Sequence, residues 1–210
     1  MRGVIAVCLL MLSPVVYAGS LELYMNNTAF QVRVGETVTA MPGGNAELIK
    51  GLLFNDKNNL FGEVGLRVKG PVGEAGSAVG NAEGDAEGES ASVADSGAQG
   101  LSAGGGIKGV FGVIHGVKTS YLSCIALGTE MTFSLSPAVP ISLSIEYYTT
   151  LKILTFLDAD RFNQLGLRLE VVASPQAKIF WTYRDIAFSD RETGGATLEN
   201  STFIGILIPY

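Results

Sequence analysis

Histidine and cysteine are almost missing from this chain. Its 210 residues include one histidine, His115, and two cysteines, Cys8 and Cys124. A structural zinc site takes four such ligands, so that class is excluded and no metal is expected. Phosphate-cradling chemistry is missing too: Gly104 to Gly106 is a glycine run without the Lys-Ser/Thr that a nucleotide loop needs. No cofactor is expected. Positive charge is scarce, with 14 Lys and Arg against 20 Asp and Glu and a formal charge of −6. That balance argues against nucleic acid as a partner. Lys and Arg are absent altogether from Pro71 to Ile107.

Long apolar runs are the last absence. Beyond the first residues no stretch of about 18 apolar residues occurs, so no spanning helix is expected. Yet 47% of the chain is hydrophobic and the mean hydropathy is +0.33. Apolar residues spread over many short strands reconcile the two facts.

The beginning of the chain reads as an export signal. Met1-Arg2 is positive, Val4 to Leu12 is apolar, and Val16-Tyr17-Ala18 suits a signal peptidase. Residues 1–18 are the expected signal peptide, cut after Ala18. Val7 stands before Cys8 where lipid attachment wants Gly, Ala or Ser, so Cys8 belongs to the discarded segment. Cys124 is then the sole cysteine, and an intramolecular disulfide is excluded.

What the chain has is alternation. Ile141 to Tyr148 and Gln164 to Val171 place Ile, Leu, Val and Tyr on one face and mainly Ser, Gly, Gln, Glu and Arg on the other. Leu60 to Lys69, Ile125 to Phe133 and Ile179 to Arg184 repeat the pattern, which is the strand period of two. At the end, Ile204, Ile206, Ile208 and Tyr210 share one side while Gly205 and Leu207 share the other. An apolar face closed by a terminal aromatic resembles the targeting signal of bacterial outer-membrane barrels. Phe203, Ile204, Ile206, Ile208 and Tyr210 are therefore the candidate membrane-targeting residues. Tyr24, Phe54, Tyr121, Tyr148 and Tyr210 are candidates for the interfacial aromatic belts.

The expected fold is all-β: an antiparallel transmembrane barrel over residues 19–210 in the bacterial, Gram-negative outer membrane, with ten strands and eight as the fallback. Counting back from Tyr210, Ser189 to Asn200, Thr150 to Phe162, His115 to Ser120, Asn55 to Asn59 and Asn26-Asn27 are outer connections. Ser174 to Gln176, Ser136 to Pro140 and Gly35 to Asn45 are inner ones. The first hairpin is the doubtful step, because Leu21 to Val34 as one strand would break the even count. Residues 71–106 read as a low-complexity acidic insertion that cannot bury enough apolar surface to order itself.

The inward face carries the candidate site: Glu63, Arg67, Glu130, Glu146, Arg168, Glu170 and Arg184. In a narrow barrel such charges must pair or be hydrated. Folding the short turns sets Arg168 near Arg184 and Glu130 near Glu146, an expected self-compensating quartet that plugs the lumen. A structural or porin-like, small-solute role follows, with a lipid-modifying enzyme as the alternative. His115 beside Ser120 or Ser123 is the only conceivable catalytic pair, and no catalytic residue is assigned. Asp158, Asp160, Asp190 and Glu192 could gather Ca²⁺ but read better as hydrated loops. The expected partners are outer-membrane lipid and lipopolysaccharide, plus periplasmic chaperones and the barrel-assembly machinery during biogenesis. The protein is expected to be a monomer.

Four short motifs resemble those of the YfaZ family of predicted outer-membrane proteins. They are Gly109-Val110-Phe111, Ala126-Leu127-Gly128, Glu146-Tyr147-Tyr148 and Trp181-Thr182-Tyr183-Arg184-Asp185-Ile186. The resemblance covers most of the chain beyond residue 18, apart from the acidic insertion and the first strand. It implies a signal peptide and an outer-membrane barrel, and it implies no activity.

Overall fold

A computed structural model describes residues 19–41, 44–72, 100–115, 118–135, 140–190 and 196–210. The expected signal peptide and the core of the acidic insertion lie outside the described residues. The strands are β1 (Gly19–Met25), β2 (Ala29–Met41), β3 (Gly44–Asn55), β4 (Leu60–Pro71), β5 (Gly100–His115) and β6 (Thr119–Ser134). They continue as β7 (Ile141–Thr149), β8 (Thr155–Leu157), β9 (Ala159–Ser174), β10 (Ala177–Asp190) and β11 (Ala196–Pro209).

Each long strand pairs antiparallel with its neighbours in sequence, and β1 pairs with β11 from Ser20↔Pro209 to Met25↔Ile204. The sheet therefore closes on itself and has no free first or last strand, which is how backbone polar groups are satisfied without water. The first and last described residues meet at one rim, where the Gly19 and Tyr210 backbones exchange bonds of 2.9 and 3.0 Å. We call this the terminal rim and its opposite the far rim.

The wall has ten strands, because β8 is a continuation of β7. β7 pairs with Leu127 to Ser134 of β6, then the chain leaves the wall through a 3₁₀ turn at Lys152–Leu154. It returns as β8 against Leu122 to Cys124. At the gap Thr150 Oγ1 donates to the Ile125 carbonyl at 2.6 Å, a side-chain bond in place of a ladder bond.

The doubtful first hairpin is a real one. Asn26 Oδ1 accepts from the backbone N–H groups of Thr28 (2.8 Å) and Ala29 (2.5 Å), which ties the chain into the turn. β1 is short, so β11 extends past it toward the far rim. Asn55 Nδ2 bridges that notch by donating to the Leu198 carbonyl at 2.9 Å.

Several connections are shorter than the polarity of their residues suggested. β2 runs to Met41 and β3 starts at Gly44, so Gly35 to Asn45 is mostly strand. β9 starts at Ala159, and β10 and β11 reach to Asp190 and back from Ala196. Pro71 ends β4 and Gly100 to Gly106 open β5, so the insertion is confined to fewer residues than 71–106. The reason is common to all: ladder bonds are made by the main chain and tolerate polar or small side chains at the ends of a strand.

Facing follows the alternation. Leu165, Leu167, Leu169 and Val171 are 36–40% exposed on the outside, as are Ile204, Ile206, Ile208 and Tyr210 at 40–63%. The sense is apolar out and charged in, that of a membrane barrel. Phe203 is buried in the interior, one residue out of phase with the outward-facing isoleucines. Tyr24 and Tyr148 are also interior, not interfacial, because they share parity with Glu22 and Glu146. Tyr121 and Tyr210 are exposed on the outside.

Candidate functional site: the interior of the barrel

Toward the far rim the interior is apolar. Phe61, Phe162 and Phe188 come from β4, β9 and β10, with ring centroids 4.9–6.3 Å apart, and Leu53, Val110, Leu122, Ile186 and Leu198 are buried with them. Below them lies a charged layer whose hub is Glu63, its side chain 1% exposed. Arg33 Nε and Nη2 both donate to Glu63 Oε1, at 3.0 and 2.8 Å. Lys108 Nζ donates to Glu63 Oε2 at 2.9 Å, and Arg184 Nη2 stands 3.8 Å away.

Glu146 is held by Gln164 Nε2 at 2.8 Å, Arg184 Nη2 at 3.4 Å and Arg33 Nη2 at 3.6 Å. Gln164 Oε1 accepts in turn from Lys108 at 2.7 Å. Arg184 also donates to Gln31 Oε1. Nearer the terminal rim, Arg67 binds Glu47 and Glu130, Lys69 reaches Glu130, and Arg168 binds Glu22 (3.0 Å) and Glu170 (2.8 Å). Lys178 completes this end with Glu170 at 3.1 Å. Aromatic faces carry part of the cationic charge: Lys108 Nζ sits 3.8 Å from the Tyr148 ring centroid, and the Arg168 guanidinium 3.9 Å from that of Phe180.

Two glycines make room for this packing. A Cβ on Gly128 would lie 2.3 Å from Tyr148 Cδ1, and one on Gly166 would lie 2.5 Å from Glu146 Cγ. Only glycine at these wall positions lets the neighbouring side chain lie flat against the barrel.

All seven candidate charges, Glu63, Arg67, Glu130, Glu146, Arg168, Glu170 and Arg184, face inward. The expected quartet does not form. Glu130 is opposite Glu146 in register, but Glu130 pairs with Arg67 and Lys69 while Arg168 pairs with Glu22 and Glu170. Only Arg184 and Glu146 meet as foreseen. The cause is reach: long side chains in a narrow lumen cross it, and partners come from strands far apart in sequence. Glu22, Arg33, Glu47, Lys108 and Lys178 were not anticipated. Their signal was parity with Tyr24, Gln31, Leu53, Val110 and Phe180.

The other candidates are scattered. The His115 Nδ1 lies 3.3 Å from Thr119 Oγ1 on the far rim. Asp158 Oδ2 accepts from the Tyr121 N–H at 3.0 Å, whereas Asp160 pairs with Lys152 at 3.0 Å, so they serve different contacts. Glu192 lies outside the described residues. Gly104 to Gly106 are paired strand residues of β5, not a loop. Cys124 is buried and free. Among the described residues, no group of three or more His, Cys, Asp or Glu side chains could hold a metal.

Among the described residues, the space left between the ion pairs is small. One cavity of about 30 Å³ lies among Arg33, Arg67, Glu130, Glu146, Arg168 and Arg184, and another of about 10 Å³ lies beside Glu63 and Lys108. Each is on the scale of one or two water molecules.

No protein-family model matches the chain, and no curated protein matches it. Among solved structures it is similar to the outer membrane channel DcaP of Acinetobacter baumannii, at 8% identity and a TM-score of 0.44. That match covers 94% of this chain and 55% of DcaP, so the chain spans about half the length of that channel. A second similar structure comes from work on in-meso crystallization of membrane proteins. It shows 12% identity and a TM-score of 0.39 over 92% of this chain and 83% of the other.

Proposed function

We propose that this protein is an outer-membrane β-barrel of structural or small-solute-passage type whose lumen is largely plugged by paired charges. The observation that carries the reading is the pairing of an apolar outer face with a charged interior in which, among the described residues, the two cavities beside the ion pairs measure about 30 and 10 Å³. The Phe61–Phe162–Phe188 cluster is the seal toward the far rim, and the ion pairs fill the rest. Gram-negative outer membrane is the location that suits a closed barrel with a terminal aromatic strand. Lipid and lipopolysaccharide are the surroundings its apolar wall suits, and chaperones and the barrel-assembly machinery are its partners in biogenesis. We read it as a monomer, as a non-enzyme and as a YfaZ-type protein. All four motifs behind that likeness fall on wall strands, and two of them supply the Gly128–Tyr148 contact.

The test is conductance of the refolded protein in a planar bilayer, with a lipid-hydrolysis assay on the same preparation. The wild type should pass little or no current, and truncating Phe61, Phe162 and Phe188 together to alanine should raise it. Open-porin currents from the wild type, or hydrolysis of the host lipid, would overturn the reading.

A further inference from the structure

We infer that the cavity among Arg33, Arg67, Arg168 and Arg184 is a binding site for one small monovalent anion of halide size. Four guanidinium groups line it, against two carboxylates, Glu130 and Glu146. Those carboxylates are already engaged, Glu130 by Arg67 and Lys69 and Glu146 by Gln164, Arg184 and Arg33.

The unmet hydrogen-bonding capacity points the same way. Among the described residues, three buried side-chain polar atoms lack a hydrogen-bond partner: Arg168 Nε, Arg168 Nη2 and Gln31 Nε2. All three are donors, and the two on Arg168 belong to the cavity lining, which does not include Gln31. Arg168 Nη2 lies 2.8 Å from Glu170 Oε2 as an ion pair, without hydrogen-bond alignment. Buried donors need acceptors, and an anion is an acceptor only. The hydroxyls of the lining are turned elsewhere, Tyr24 to Glu22, Thr182 to the Leu167 carbonyl and Ser144 to Thr132, and none of them accepts from Arg168 Nε or Nη2. Phe180 lies under the Arg168 guanidinium and fixes its plane, so the donors are held in place without a ligand.

Size narrows the chemistry. About 30 Å³, the scale of one or two water molecules, suits a halide and is small for an organic acid. The site exists whether or not any solute crosses the barrel, so it is tested separately from conductance.

The experiment uses the full-length refolded barrel. Crystals grown in sodium bromide are measured at the bromine absorption edge, and thermal unfolding is followed in chloride, bromide, gluconate and sulfate at equal ionic strength. An anomalous peak within contact distance of Arg168 is expected, together with a midpoint that rises with the logarithm of halide concentration. Generic salting-out favours sulfate. A midpoint raised as much by sulfate or gluconate as by halide, or a cavity holding water only in bromide, overturns the proposal. Arg168→Gln should abolish the halide effect, and its full retention in that variant also overturns it. Where Arg168→Gln does not fold, the bromide map of the wild type decides.

Discussion

Glu130 on β6 and Glu146 on β7 stand directly opposite each other across the ladder, yet each carboxylate turns to a different set of cations. Like charges facing across strands are destabilising unless each is compensated. Glu130 is compensated by Arg67 and Lys69, and Glu146 by Arg184 and Arg33. Arg67→Ala should therefore destabilise the folded barrel by about 3–5 kcal/mol, the usual cost of orphaning a buried charge. Adding Glu130→Gln should recover part of that loss. Urea unfolding monitored by tryptophan fluorescence measures both, and a double variant no more stable than the single one would break the assignment.

Arg168 supplies a second test of who pairs with whom. It touches Glu22 on β1 and Glu170 on its own strand. A double-mutant cycle on Arg168 and Glu22 should return a coupling of about 0.5–3 kcal/mol, as for residues in contact. The cycle on Arg168 and Glu146 should return less. The reverse order would restore the quartet read from strand counting.

The difference between those two pictures shows what strand alternation encodes. Period-two patterning fixes which face a side chain takes, so the seven inward charges and the outward-facing Leu167 and Ile206 were legible from residues alone. Counting back from Tyr210 gives ten strands with the first hairpin left open, and the bonds of Asn26 Oδ1 to Thr28 and Ala29 are what close that step. Pairing across the lumen was not legible. Arg33 and Glu63 are thirty positions apart, Arg168 and Glu22 far more, and their meeting depends on how strand tilt and stagger close the barrel. Lys108 shares its face with Val110, opposite the outward Ile107 and Phe111, so its facing was legible while its partners Glu63 and Gln164 were not. Phe203 faces the interior, off the face shared by Ile204, Ile206, Ile208 and Tyr210.

Gly128 and Tyr148 give a packing prediction. A Cβ at Gly128 would fall 2.3 Å from the Tyr148 ring and 2.4 Å from the Tyr147 carbonyl oxygen. Gly128→Ala should cost about 1–3 kcal/mol through overpacking. Tyr148→Ala in the same chain should remove the ring clash, so the two losses should combine to less than their sum in the same unfolding assay.

Closure of the sheet predicts behaviour in detergent. Opening the barrel requires breaking a continuous ladder, so detergent alone should leave it folded. The purified protein should run at different positions on a gel before and after boiling. Identical mobility, together with recovery in the soluble periplasmic fraction, would remove the membrane barrel altogether.

Leu167 tests the outer face most directly. It lies in the middle of β9, 37% exposed, beside Ile145 on β7 and Tyr183 on β10, all on the outside. Arg at such a position costs about 2–4 kcal/mol at the bilayer midplane. Its neighbours are poor controls, because Gln164 is fully buried between Lys108 and Glu146, and any side chain at Gly166 would meet Glu146. Leu167→Phe is the informative comparison, as it keeps the face apolar and changes only the volume presented to lipid. Folding into vesicles should be impaired strongly by Leu167→Arg and little by Leu167→Phe. Equal impairment would mean that Leu167 packs against protein, and the apolar wall would then need another explanation than lipid.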